Sequence, residues 1–140
     1  MTGEKNKELV RKFFTCLEEG NAKGVADLFA KNGIHKNPYA SGIFPEGAQG
    51  NEAIEDYWKG PIENFDGMTF IIEEIYAMED PTFVFVKFKG NVTLKDNAGI
   101  YANDYYATFR FNDSNEIVEY VEIFNPIVAA KGFGLLDQIK

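Results

Sequence analysis

The chain predicts an α+β fold in which three N-terminal helices pack on a strongly curved antiparallel sheet around an internal pocket. Three observations carry this expectation. Apolar residues recur at helical spacing early in the chain, the period changes to alternation after Asp66-Gly67, and the segments between alternating runs are rich in turn-forming residues. With 140 residues, 45% of them apolar and 15% aromatic, residues 1–140 suffice for a single domain with one sizeable core.

Over residues 4–19, Leu9, Val10, Phe13, Phe14 and Leu17 form one face of a helix, and Gly20 supplies the left-handed stop. Asn21 is placed to cap a second helix with Val25, Leu28 and Phe29 on one face, ended by Asn32-Gly33. Residues 34–39, bounded by Gly33 and Pro38, suit an edge strand or an extended turn, and on such a strand His35, Asn37 and Tyr39 share a face. Residues 40–50 contain Gly42, Pro45, Gly47 and Gly50 and form a loop, either a mobile lid or an irregular connection. Asn51 then caps a third helix carrying Ile54, Tyr57 and Trp58, broken at Gly60-Pro61 and followed by about one more turn.

Four strands follow, at about 68–77, 82–94, 100–111 and 116–124, joined by hairpin turns. The chain closes with a segment led by Pro126 through Ile127, Val128, Phe133 and Leu135. Strands this long in one antiparallel sheet curl, and helices over the concave face leave a tapered hollow beneath them.

A formal net charge of −8 and a pI near 4.7 set the chain against phosphate backbones and anionic membranes, so nucleic acid and membrane surfaces are not expected partners. No apolar h-region opens the sequence and no run of about 18 apolar residues interrupts it, so neither a secretory signal nor a membrane span is expected. The chain reads as cytoplasmic. One Cys, Cys16, and one His, His35, cannot build a soft-ligand zinc site, and no Gly-rich phosphate loop is present, so no metal or cofactor is expected.

On the third strand Asn103, Tyr105, Ala107, Phe109 and Phe111 share a face, opposite Asp104, Tyr106, Thr108 and Arg110; the first face is the inward candidate. On the fourth, Val118, Tyr120, Glu122 and Phe124 oppose Ile117, Glu119, Val121 and Ile123, and alternation alone does not assign the inside. Glu122, at the end of this strand, is the candidate general acid or base: an aromatic environment excludes water and raises a carboxyl pKa. From spacing alone, a strand Glu exposed or paired with Lys or Arg is the simpler reading. Asp56 and Asp104 read as solvated, and His35 as structural. The remaining candidate contacts to a small apolar or aromatic ligand are Phe14 and Trp58 from the helices, His35, Asn37 and Tyr39 from the short strand, and Asn103, Tyr105, Tyr120 and Phe124 from the last two strands. The outer sheet face, with Ile71, Ile75, Val121 and Ile123, has no element left to cover it, so a twofold homodimer through that face is expected.

In element order the chain resembles the nuclear transport factor 2-like superfamily, which includes ketosteroid isomerases and SnoaL-like polyketide cyclases. In Glu79-Asp80-Pro81, Phe83-Val84-Phe85-Val86, Gly90, Tyr101-Ala102-Asn103, Phe109-Arg110, Ile117 and Glu122-Ile123-Phe124-Asn125-Pro126 it is similar to the phenazine-biosynthesis A/B subfamily. The resemblance implies a cone-shaped α+β barrel, pairing through the sheet, and proton-transfer chemistry such as isomerisation, cyclisation or condensation. It places the acid of the subfamily's E-x-x-N-P motif on Glu122, in favour of the catalytic reading. The subfamily's third-helix His falls on Asp56 and its Ser on Gly60, departures that argue against its imine-forming condensation. The ketosteroid isomerase base is matched in place by Asn37, whose amide cannot take a proton from carbon. A binding protein that keeps the pocket without the chemistry is the alternative.

Overall fold

A computed structural model of the chain describes residues 2–139. Its elements are α1 (Thr2–Glu18), α2 (Ala22–Ala26), β1 (Phe29–Lys36), β2 (Gly47–Gln49), α3 (Asn51–Asn64), β3 (Phe65–Ala77), β4 (Phe83–Leu94), β5 (Ile100–Phe111), β6 (Ile117–Phe124) and α4 (Pro126–Gly132). One six-stranded sheet runs in the order β2-β1-β6-β5-β4-β3 and stays unclosed. Its pairs are antiparallel except β1 with β6, which is parallel. The α+β expectation holds, with helices packed on one face of the sheet. No helix among the described residues is long and apolar enough to cross a membrane.

Helix α1 buries Val10, Phe13, Phe14 and Leu17, the i, i+3, i+4, i+7 stripe of an amphipathic helix. Gly20 at φ +70 lets the chain reverse, with Gly20 N donating to Leu17 O (3.1 Å) and Asn21 N to Cys16 O (2.8 Å). Phe13 then sits at the centre of the core. Its ring lies 5.2 Å from Phe14, 6.2 Å from Trp58, 5.1 Å from Phe109 and 4.8 Å from Tyr120.

Several boundaries differ from the sequence reading, each because a tertiary pairing outweighs local pattern. The second helix, capped by the Asn21 side chain on Gly24 N (2.9 Å), ends at Ala26 rather than at Asn32-Gly33. Phe29 instead opens β1, buried against Phe13 and paired with Ile117. Asn32-Gly33 is a register shift within that strand, where a Cβ on Gly33 would stand 2.9 Å from Ile117 O. β1 is not an edge strand, since β2, folded from the 40–50 loop, covers it on one side. It ends at Lys36, so Tyr39 does not share a strand face with His35; its side chain is in an exposed turn. Gly50, not Asn51, is the N-cap of α3. That helix runs on through Gly60-Pro61: only the Tyr57 carbonyl loses its partner, and Gly60, lacking a Cβ, relieves the usual clash before proline.

A second register shift, between Ile72 and Glu74, changes which residues of β3 face outward. Ile71 pairs with Lys89 on the outer face, while Ile75 pairs with Val86 and packs on the core. The expectation that Ile75 is an outer residue is thereby corrected. A third shift lies between β5 and β6 and places Ile117, as well as Tyr120, Glu122 and Phe124, on the core side. α4 is set by Asn125, whose Oδ1 accepts from Ile127 N (3.0 Å) and Val128 N (3.2 Å), with Pro126 at the first position.

Candidate functional site

Between sheet and helices lies a cavity of about 490 Å³. Its wall is aromatic and aliphatic: Phe44 and Pro45 from the 40–50 loop, Tyr57 and Trp58 from α3, Phe65, Met68 and Phe70 from β3, and Phe133 from beyond α4. Glu122 is the one charged side chain among the lining residues. Of the residues predicted from sequence, Asn37, Trp58, Tyr105, Glu122 and Phe124 line this space. Four more stand behind the wall. Phe14 is buried against Phe88 (4.5 Å between rings), and His35, Asn103 and Tyr120 are buried one layer back. Tyr39 is 53% exposed and apart from the cavity.

Glu122 is partly buried and lines the cavity. Desolvation pushes its carboxyl up to about 7, opposed by one hydrogen bond from the Tyr120 hydroxyl to Oε1 (2.7 Å). No cation contributes to holding it ionised. Asp56 and Asp104, by contrast, are solvated, with side chains 77% and 74% exposed beside Lys59 and Lys89. Among the described residues no cluster of three His, Cys, Asp or Glu side chains is placed to hold a metal ion.

The neutral polar groups are arranged around this carboxyl. His35 Nε2 lies 2.8 Å from Asn37 Oδ1, and Asn37 Nδ2 donates to Pro45 O (3.0 Å) and to the Tyr57 hydroxyl (2.9 Å). Burial pulls His35 down to about 4, so it is neutral near pH 7, and its Nδ1 has no hydrogen-bond partner among the described residues. On β5, Asn103 Nδ2 donates to the Tyr101 hydroxyl (2.6 Å) and to Asn125 O (3.0 Å), and the Tyr101 and Tyr105 hydroxyls lie 3.1 Å apart. Burial and the charge of Glu122 raise Tyr57 and Tyr105, which therefore stay protonated.

Tyr57 and Tyr101 are site residues that the sequence reading did not select. Tyr101 was within reach of it, because it shares strand parity with Asn103 and Tyr105. Tyr57 neighbours Trp58 on the helix, and no spacing rule separates a core tyrosine from one that turns its hydroxyl to a cavity.

A helix-covered open sheet over an apolar cavity with a single acid among its lining residues is the architecture of an α+β protein of the nuclear transport factor 2-like superfamily. Residues 10–120 match the SnoaL-like domain family, and the chain belongs to that family. It is 28% identical over 131 residues to the uncharacterised protein YesE of Bacillus subtilis, covering 94% of this chain and 88% of that protein. An uncharacterised PhzA/B-like protein of Pseudomonas aeruginosa is 27% identical over 128 residues, covering 91% and 89%. The crystal structure of a Bacillus subtilis protein provisionally named an isomerase superposes with a TM-score of 0.86 at 26% identity, over 96% of both chains. Two more distant structures share the fold. SalBIII, an epoxide hydrolase/cyclase-like enzyme of pyran ring formation in salinomycin, has a TM-score of 0.75 at 18% identity, covering 89% and 95%. A Mycobacterium tuberculosis protein solved with estradiol-17beta-hemisuccinate has a TM-score of 0.76 at 15% identity, covering 89% and 96%.

Proposed function

We propose that this protein is an enzyme acting by proton transfer on a carbonyl-bearing, cyclic small molecule, as an isomerase, cyclase or condensing enzyme, with Glu122 as general acid and base. The observation that carries the reading is Glu122 itself: a carboxyl at about 7 in an aromatic cavity can both take and return a proton near neutral pH. Tyr57 and Tyr105 are donors suited to a developing enolate oxygen. The cyclase-like activity of one structural neighbour and the steroid ester held by another support a ring-bearing ligand.

The reading is tested by following the Glu122 side-chain carboxyl by NMR as pH is varied. A midpoint near 7 is expected, and removing the Tyr120 hydroxyl (Tyr120→Phe) should move it higher, because that hydrogen bond favours the ionised form. A midpoint at the ordinary Glu value would remove the mechanism.

A ligand-binding protein without catalysis is the second reading. It is supported by Asp56, which is solvated and outside the cavity wall, and by Gly60, which lines the cavity with no side chain.

The assembly we propose is a twofold homodimer through the outer sheet face. Ile71, Tyr76, Tyr106 and Ile123 are exposed there, interleaved with the Lys87–Glu74 and Lys89–Asp104 ion pairs, and a second copy would cover them. Light scattering at micromolar concentration should give twice the 15.8 kDa chain mass, and the single-chain mass would exclude this assembly.

A further inference from the structure

We propose that residues 41–45 are a lid over the cavity, hinged at Ser41-Gly42 and latched by Phe44 on Phe124, and that a ligand enters and leaves when this latch opens. The inference rests on the cavity's holding a small apolar ligand, which the catalytic and the binding readings share, and adds the route by which that ligand exchanges.

The segment has open space on two sides. Ile43, Phe44 and Pro45 form part of the cavity wall. A second hollow of about 290 Å³, lined by Lys36, Asn37, Pro38, Ala40, Ser41 and Glu46, lies against the same stretch of chain. Of the two sets of lining residues only Asn37 is shared, so the segment is a partition between two hollows. A stretch walled in this way has few side chains packed on it and room to swing.

Its ends are fixed. Ala40 is buried, and Gly47 pairs with Lys36 in the β1–β2 ladder. Asn37 N donates to Glu46 O (2.8 Å) and Asn37 Nδ2 to Pro45 O (3.0 Å). Between these anchors the backbone closes on itself, with Ile43 N (3.1 Å) and Phe44 N (3.0 Å) both donating to Ala40 O. That turn needs left-handed backbone at two successive residues, Ser41 at φ 60 and Gly42 at φ 72, and Ser pays a steric cost there that Gly does not. The Phe44 ring then meets Phe124 edge-on at 5.5 Å. One edge contact holds a lid without locking it.

Opening is a rotation at Ser41-Gly42 with Asn37 as the pivot. The two bonds to Ala40 O are exchanged for bonds to water, and Phe44 turns away from Phe124 toward the second hollow. Phe124 lines the cavity two residues beyond Glu122 on the same strand, so the door is at the acid's end.

The test compares two exposed glycines. Gly42 and Gly134 have φ values of 72 and 71, and a Cβ at either meets nothing within 4 Å, so Gly42→Ala and Gly134→Ala add comparable backbone strain without touching the cavity. Gly134 lies between Phe133 and Leu135, which cover the cavity from the C-terminal segment and make the rival door. The probe is N-phenyl-1-naphthylamine, an uncharged dye that accepts energy from Trp58, the one Trp of the chain and a cavity residue. In stopped flow, Gly42→Ala is expected to raise the association and release rates together, each on the order of 10-fold, with Kd nearly unchanged, because strain at residue 42 disfavours the closed form with or without ligand inside. Gly134→Ala is expected to keep wild-type rates. Unchanged rates in Gly42→Ala would overturn the lid, and a rise in Gly134→Ala alone would place the door at the C-terminal segment instead. Relaxation-dispersion NMR on the ligand-free protein decides without a dye: exchange on the millisecond timescale is expected at Ile43, Phe44 and Phe124 while Ala48 in β2 stays flat, and flat profiles at all three would also overturn the inference. If those residues exchange but the dye draws no energy from Trp58, the lid stands and the apolar-ligand reading of the cavity fails.

Discussion

Glu122→Gln should lower turnover by on the order of 10²- to 10⁴-fold while leaving ligand affinity nearly unchanged. Glutamine keeps the shape, and its carbonyl oxygen can still accept from the Tyr120 hydroxyl, but it cannot exchange a proton with carbon. A variant that turns over like wild type would remove Glu122 from the mechanism. The same change should stabilise the fold at alkaline pH. The carboxyl is raised from 4.5 to about 7, so the folded chain holds a proton that the unfolded chain has already released between those values. Stability therefore falls as pH rises through that window, reaching a loss of roughly 3 kcal/mol above pH 7. Gln carries no such loss. The urea midpoint of Glu122→Gln should exceed that of wild type at pH 8, and the gap should close as pH falls toward 4.5. A pH-independent gap would show that this carboxyl is ordinary.

Phe13→Ala should cost about 3–5 kcal/mol, the largest stability effect expected of a single truncation here. The ring is fully buried and meets α1, β1, α3, β5 and β6 through Phe14, Phe29, Trp58, Phe109 and Tyr120, so no one element can move in to fill the void. Trp58 lines the cavity and Tyr120 holds Glu122, hence ligand affinity should weaken in the same variant. Urea unfolding that shows a loss below about 1 kcal/mol would place the core elsewhere.

The meander was legible in the sequence because a two-residue period and Asn/Asp/Gly turns belong to the strands themselves. The inward face of β5 followed from the same parity, as did the environment of Tyr105. Glu122 was harder: β6 is apolar on both faces, and only its partners on β5 decide which face is inside. What stayed hidden depends on residues far apart in the chain. Leu28 and Phe29 look helical until Ile117 is beside them, with Ile117 N donating to Leu28 O (2.9 Å). The shift at Ile72/Glu74, which turns Ile75 inward, has no local signature, since either register reads as an apolar strand. Tyr57 became a site residue through Asn37, twenty positions away.

The one parallel pair in the sheet has a consequence for the order of assembly. β3 to β6 can zip up as successive hairpins, each closing a short loop, whereas Phe29 must wait for Ile117 across most of the chain. During synthesis β1 emerges early and has no sheet to join until β6 follows. Asn37, Tyr57 and Glu122 therefore come together late, and the cavity wall they share is incomplete in any nascent chain that lacks β6.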